Sequence, residues 1–359
     1  MSKSPTDNTK VTQNYVIYGS ELSYFTRKLV HAMTWYFPTQ FTLTVPRDDL
    51  IKTRAGTHQI PVLQTPQNWM IADSTPIIQM LDGRLTTPKY YPPGLVGAFT
   101  AIVEEYFDEW IPRLAIWSRW ACGSETAIDA SEQMSRVILG DIDKNAAKNI
   151  ANWGRKAVRA LGMDSKYQQN QGEKELIRIF TALDAQLSST GKRFIFGNSP
   201  TAADCIVYGS CTAHFTRDIY PKQVLKHLTA LHSVLQQASD PIENQTAPSP
   251  RLKSNEALPP FVDFVLNEAS TNGFSEFLRG NMKAIQNGTK AFTAKTYGKD
   301  VSYLARPYPE QSRRMLRSFL KLHLARTCTL NEQERFSNIL KEKGLHDLYL
   351  GEDGEDSKL

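Results

Sequence analysis

The stretch Tyr15-Val16-Ile17-Tyr18-Gly19-Ser20-Glu21-Leu22-Ser23-Tyr24-Phe25-Thr26-Arg27-Lys28 decides how the chain begins. Four β-prone residues close on a Gly-Ser pair, and Phe25, Leu29, Val30 and Met33 then recur at helical spacing, so the segment reads strand, turn, helix. Phe41-Thr42-Leu43-Thr44-Val45 is a second predicted strand. Val62-Leu63 and Trp69-Met70-Ile71 are two more, separated by a turn at Pro66, before a helix entered through Asp73-Ser74-Thr75-Pro76. Residues 15–84 therefore read as one β-α-β-α-β-β-α unit. Beyond Arg84 the period changes: Leu176, Ile179, Phe180, Leu183 and Leu187 fall on one face of a long helix, and residues 95–240 are expected to be an all-helical domain. Prolines among polar residues over 241–260 mark a linker or surface arm, 261–350 is expected to be a helical extension, and the polar ends 1–14 and 351–359 read as a disordered leader and a flexible tail.

The chain has 359 residues, 41% hydrophobic and 22% charged, which fits two or three domains at roughly 150 residues each. Its 42 Lys and Arg against 37 Asp and Glu leave +5, too mild and too scattered to imply nucleic acid. No apolar run reaches the ~20 residues of a membrane span, and Met1 to Asn14 lacks the apolar centre of a secretory signal, so an intracellular, cytoplasmic protein is expected. Cys122, Cys205, Cys211 and Cys328 form no CxxC pair, which argues against a zinc site or disulfide framework. The final Ser357-Lys358-Leu359 matches a peroxisomal address and would act as one in a eukaryotic host.

Three motifs in order narrow the reading: Tyr18 to Lys28; Ile60-Pro61-Val62-Leu63 followed by Ile71-Ala72-Asp73-Ser74-Thr75-Pro76-Ile77-Ile78; and Gly197-Asn198-Ser199-Pro200-Thr201-Ala202-Ala203-Asp204. Together they resemble the glutathione S-transferase superfamily over roughly residues 14–240. The longer layout, with Arg306-Pro307-Tyr308-Pro309 late in the chain, is similar to extended transferase-like proteins. The resemblance implies an α/β plus all-α fold: a thioredoxin-like domain, an all-helical domain and a helical addition. It also implies glutathione as co-substrate with no metal, a small hydrophobic electrophile as its reaction partner, and a homodimer.

Carried over residue by residue, Ser23 would stabilise the glutathione thiolate. A hydroxyl donor at a helix start can do so through a hydrogen bond and through the positive end of the helix dipole. Ile60 and a cis Pro61 would pair with the cysteinyl backbone, and Asp73 and Ser74 would hold the γ-glutamyl ammonium and carboxylate. Each position also has a plainer reading: Ser23 and Asp73 as helix caps, and Pro61 as an ordinary trans proline. Ser in place of Cys disfavours reductase chemistry through a mixed disulfide. Thr201 and Asp204 read as a capping box with a structural role.

Tyr106, Trp110, Ile111, Pro112, Trp117 and Trp120 would suit an electrophile pocket, or else form aromatic core. Glu104, Glu105, Asp108 and Glu109 read as a solvated face. So do Arg313, Arg314, Arg317, Lys321 and Arg326, on a helix whose Met315, Leu316, Phe319 and Leu320 would turn inward. Transferase chemistry is the leading reading; glutathione-dependent isomerisation or dehalogenation, and a noncatalytic interaction module, are the alternatives.

Overall fold

The first strand, β1 (Tyr15–Tyr18), is the centre of a four-stranded sheet ordered β2-β1-β3-β4, with β2 spanning Phe41–Thr44, β3 Val62–Gln64 and β4 Met70–Ala72. It pairs parallel with β2 and antiparallel with β3, and β3 pairs antiparallel with β4. The β1–β2 crossover is α1 (Tyr24–Tyr36); α2 (Leu50–Ala55) leads to β3, and α3 (Ser74–Asp82) follows β4. This is the thioredoxin-like unit. The computed structural model describes residues 14–46, 49–87, 89–242, 249–253 and 255–351. The expected leader, save Asn14, the expected tail, save Gly351, the Ser357-Lys358-Leu359 address and the middle of the expected linker lie outside the described residues. No helix among the described residues is long and apolar enough to cross a membrane.

The helical domain is built on α4 (Leu95–Glu109), every residue of which is buried. Around it stand α5 (Pro112–Trp120), α6 (Ser124–Leu139), α7 (Lys144–Ala160), α8 (Lys166–Thr190) and α9 (Ala202–Ser210). A π-helical turn over Cys211–Phe215, then α10 (Ile219–Val224) and α11 (Thr229–Gln236), complete it. A capping box opens α9: Asp204 Oδ2 accepts from the Thr201 N–H at 2.8 Å, while Oδ1 accepts from the Ile195 N–H at 2.8 Å. This polar start seats an otherwise buried helix directly on α1. The contact is close because position 209 is glycine; a Cβ there would lie 2.6 Å from the Lys28 nitrogen and 2.9 Å from its Cα.

The last third is more than helices. After α12 (Pro260–Thr271) and α13 (Phe274–Gln286), β5 (Ala291–Thr296) and β6 (Lys299–Leu304) form an antiparallel hairpin, corrected from the all-helical expectation. Its two-residue turn has Tyr297 at φ 52° and Gly298 at φ 77°. Such a turn matches strand twist, but Tyr-Gly is a weaker signal than Asn-Gly. Then α14 (Pro307–Thr327) lies along α4, followed by α15 (Leu330–Glu342) and α16 (His346–Tyr349).

The extension shares the core of the helical domain. Glu175 on α8, fully buried, accepts from Tyr106 Oη at 2.8 Å and Trp110 Nε1 at 2.9 Å, and also from Arg113, Asn272 and Tyr297. Two of those donors come from the extension. The aromatic residues once open to a pocket reading are thereby committed: Tyr106, Trp110, Ile111, Trp117 and Trp120 are 3% exposed or less.

Two further expectations are corrected. Glu104, Glu105, Asp108 and Glu109 are buried rather than solvated, because α14 on one side and α1 and α3 on the other leave the end of α4 no free face. On α14, Arg313 is buried on Glu310 at 2.8 Å and the Leu348 carbonyl at 3.0 Å, whereas Met315 is exposed. The helix is rolled so that Arg313, Leu316 and Leu320 face inward, and the predicted solvated stripe is split.

Gly209→Ala should cost about 1–3 kcal/mol, because neither backbone can yield without moving a whole helix; chemical denaturation reads this. A second expectation concerns pH. Burial, aided by Glu104, brings Asp108 up to about 7 against the opposing pull of Lys28; burial and Asp108 bring Glu109 up to about 8 against Arg306; burial and Glu109 push Glu105 up as well. These acids are faced by Lys28 on α1, Asp73 and Thr75 at α3, Arg306 and Ser312 at α14, and Tyr349 on α16. Unfolded carboxyls titrate near ~4, so between that value and 7–8 the native state holds more protons than the unfolded one. Stability should therefore fall as pH rises through that window and level off above it. A melting temperature that is flat or rising from pH 5.5 to about 8.5 would contradict this.

Candidate functional site

The sheet register gathers the three front motifs. Tyr18, the last residue of β1, stands opposite Val62, the first of β3, and Val62 stands opposite Ala72, the last of β4. The residues that continue these strands, Gly19, Pro61 and Asp73, accordingly leave the sheet at one end. Here α1 and α3 both begin.

Ser23 is the N-cap of α1, and its Oγ accepts from the Thr26 N–H at 3.3 Å. The cap uses an oxygen lone pair and leaves the hydroxyl proton to donate, so capping and thiol contact are compatible at this side chain. Neighbouring hydroxyls are otherwise engaged. Tyr24 Oη donates to the Phe107 carbonyl at 2.9 Å, and its pKa is driven up by burial and then by Asp108. Tyr18 Oη donates to Gln64 Oε1 at 2.9 Å, and Thr26 is fully buried. Ser20, which the sequence reading passed over, is half-buried, with its Oγ accepting from the Leu22 N–H at 3.2 Å.

The loop in front of Ser23 is held from the helical domain. Buried Arg119 donates to the Leu22 carbonyl at 3.0 Å and the Ala213 carbonyl, and its Nε donates to Asp218 at 2.8 Å. His214, also buried, stands 3.5 Å from Asp218; burial, then Arg119, bring it down to about 4. It is neutral at physiological pH and belongs to this support.

The Ile60–Pro61 peptide bond is cis. Pro61 is buried and Ile60 half-buried. Asp73, the N-cap of α3, has φ 74°, a conformation that non-glycine residues seldom adopt and that concentrates at binding sites. Its Oδ1 accepts from the Thr75 N–H at 3.3 Å, and Ser74 beside it is buried. Its other oxygen, Oδ2, accepts from Tyr308 Oη at 2.5 Å. Tyr308 sits in the first turn of α14, so the extension reaches the site; burial, then Asp73, raise its pKa.

Behind Asp73 lies a polar layer that sequence reasoning missed. Lys28, fully buried, donates to Asp108 Oδ2 at 2.6 Å and to Thr75 Oγ1 at 2.8 Å, and lies 2.7 Å from Glu104 Oε1. Burial opposes its charge, but Asp108 and Glu104 outweigh burial and hold its pKa above the usual lysine value. Glu104 Oε2 accepts from Tyr91 Oη at 2.6 Å, and Ser312 Oγ donates to Glu105 Oε2 at 2.6 Å. The one available signal was Lys28 on the apolar stripe of α1, one residue before Leu29.

The structure therefore brings Ser23, Ile60, Pro61, Asp73 and Ser74 to one end of the sheet. The aromatic set on α4 and α5 is absorbed into the core and offers no surface there.

Residues 155–249 match the family described as Glutathione S-transferase, C-terminal domain. A glutathione S-transferase from Rhodospirillum rubrum is similar in structure, at 15% identity and TM-score 0.39, over 62% of this chain and 91% of that one. FzlA from C. crescentus matches at 13% and 0.39, over 70% and 92%. A glutathione S-transferase of Ceriporiopsis subvermispora in complex with glutathione matches at 16% and 0.43, over 63% and 98%. No curated protein sequence matches the chain. The family match thus falls on the helical part of the chain, behind the thioredoxin-like unit, and it is there that the chain is similar to the glutathione S-transferase C-terminal domain.

Proposed function

We propose that this protein is a glutathione transferase in which the Ser23 hydroxyl stabilises the thiolate that attacks an electrophile. The observation that carries the reading is the convergence, on one sheet end, of the Ser23 cap, the cis Ile60–Pro61 bond and the outlying Asp73 backbone. A free thiol titrates near ~8.5, so a site that works at neutral pH must favour the anion. Bringing it down by two units takes about 2.7 kcal/mol, within reach of a hydroxyl hydrogen bond to a charged sulfur together with the α1 dipole. Ile60 and Pro61 offer an extended backbone edge to the cysteinyl unit, and Asp73 with Ser74 takes the γ-glutamyl end.

The electrophile is the open part of this reading. Since the α4 and α5 aromatics are buried, it meets the thiolate on other surfaces, and product analysis separates conjugation from isomerisation or dehalogenation. One observation favours the second reading, a noncatalytic module: Tyr308 already occupies an Asp73 oxygen that a tripeptide would use.

Calorimetric titration of the full chain with glutathione distinguishes the two. The transferase reading expects binding that Asp73→Ala weakens about tenfold or more, the scale of one lost charged hydrogen bond. Absence of binding in wild-type protein would leave the interaction module as the better account. Followed by thiolate absorbance, Ser23→Ala should raise the pKa of bound glutathione by about 1–2 units with little change in affinity. An unchanged titration would move the role to Ser20.

A further inference from the structure

A small cavity of about 20 Å³ lies between the start of α3, the second half of α4 and the first turns of α14, with Asp73, Glu105, Asp108, Tyr308 and Ser312 in its wall. That volume holds a group about the size of one water. Its wall is rich in acids: Asp73, Glu104, Glu105 and Asp108 line it and Glu109 acts on Asp108, while among the described residues Lys28 and Arg306 are the cations that act on this group. Glu104 has both oxygens bonded, to Lys28 and Thr75 on one side and Tyr91 on the other. Asp108 Oδ1 and Glu105 Oε1 have no hydrogen-bond partner, though Asp108 is 9% exposed and Glu105 4%. A buried carboxylate oxygen without a donor is costly, and two beside one cavity mark a missing donor between them.

We propose that this cavity is a binding site for a primary ammonium group, received by Glu105 and Asp108 beneath Asp73 and Tyr308. The donor must be small, cationic and rich in N–H. An alkylammonium offers three N–H bonds on one atom, enough for both unpartnered oxygens and for Asp73 at the rim. A guanidinium is too broad for the space, and a quaternary ammonium fits the charge but has nothing to donate. Among the described residues no group of three or more His, Cys, Asp or Glu is arranged to hold a metal ion. The ligand's remaining atoms leave past Tyr308, which is 42% exposed at the mouth. Four wall residues, Tyr308, Ser312, Met315 and Leu316, belong to α14, so the extension builds the site with the two front domains. The amine has two sources, the α-ammonium of glutathione or that of a separate amine ligand, and the site does not depend on the transferase reading.

Full-length protein titrated with propylammonium chloride, against tetramethylammonium chloride at equal concentration, tests this directly. Propylammonium should bind and raise the melting temperature, and tetramethylammonium should do neither. Because burial raises both carboxyls, Asp108 to about 7, binding of a cation should release protons, read as a heat that varies with the buffer's ionisation enthalpy. Glu105→Gln combined with Asp108→Asn should weaken propylammonium binding at least tenfold. Equal responses to the two salts, or a folded double variant that binds like wild type, would overturn the site. The two-salt comparison decides even if the variant fails to fold. Displacement of propylammonium by glutathione, or independent binding of both, each supports the site and names the source of the amine. Glutathione binding without propylammonium binding would sink the ammonium site and spare the transferase reading; the reverse result would do the opposite.

Discussion

A single buried cation, Lys28, ties the front of this molecule together. It sits on α1 of the thioredoxin-like unit, reaches Thr75 at the start of α3, and pairs with Glu104 and Asp108 of α4. A lysine stripped of water is costly unless its partners are placed at hydrogen-bonding distance on all sides. Here they are, and the cost of losing any one of them fixes the angle at which the sheet unit meets the helical domain. Gly209 permits the same approach from the other side, by letting α9 lie against the backbone of Lys28 itself.

That anchoring explains why the start of α1 is a suitable place for chemistry. Ser23 caps the helix one turn before Lys28, so the hydroxyl is held on a helix whose body cannot shift. From the other flank Arg119 and Asp218 grip the Leu22 carbonyl. Both supports come from the helical domain, though the exposed groups belong to the sheet unit. A site of this kind needs both halves present.

The C-terminal extension is bound to the helical domain by contacts that reach its centre. Asn272 and Tyr297 donate to Glu175, Ser312 donates to one oxygen of Glu105, and Tyr308 holds Asp73. Each extension group answers a buried or half-buried carboxylate of the earlier domains. With α14 removed, Glu105 would lose its Ser312 donor, whereas Glu104 and Asp108 would keep Lys28 and Thr75 of the front unit. The burial of the α4 acids thus needs both the front unit and the last hundred residues.

The front unit was legible because its signals are local: the β-prone run at Tyr15, the caps at Ser23 and Asp73, the proline at 61 and the capping box at Thr201 each act over a few residues. The hairpin at Tyr297 was missed because a Tyr-Gly turn resembles ordinary loop composition. The acids of α4 were misplaced because a run of Glu and Asp has the same pattern on a wet helix and on a buried one paired with distant cations. By itself, then, the sequence determined the order of elements in the front unit, its helix starts and the residues that leave the sheet at the site end, since backbone preference and capping are short-range properties. Only the tertiary structure decided which charges are buried, that Tyr308 reaches Asp73 across 235 residues, and that the α4 aromatics are core. Those outcomes depend on which surfaces meet, and no local window of sequence contains that information.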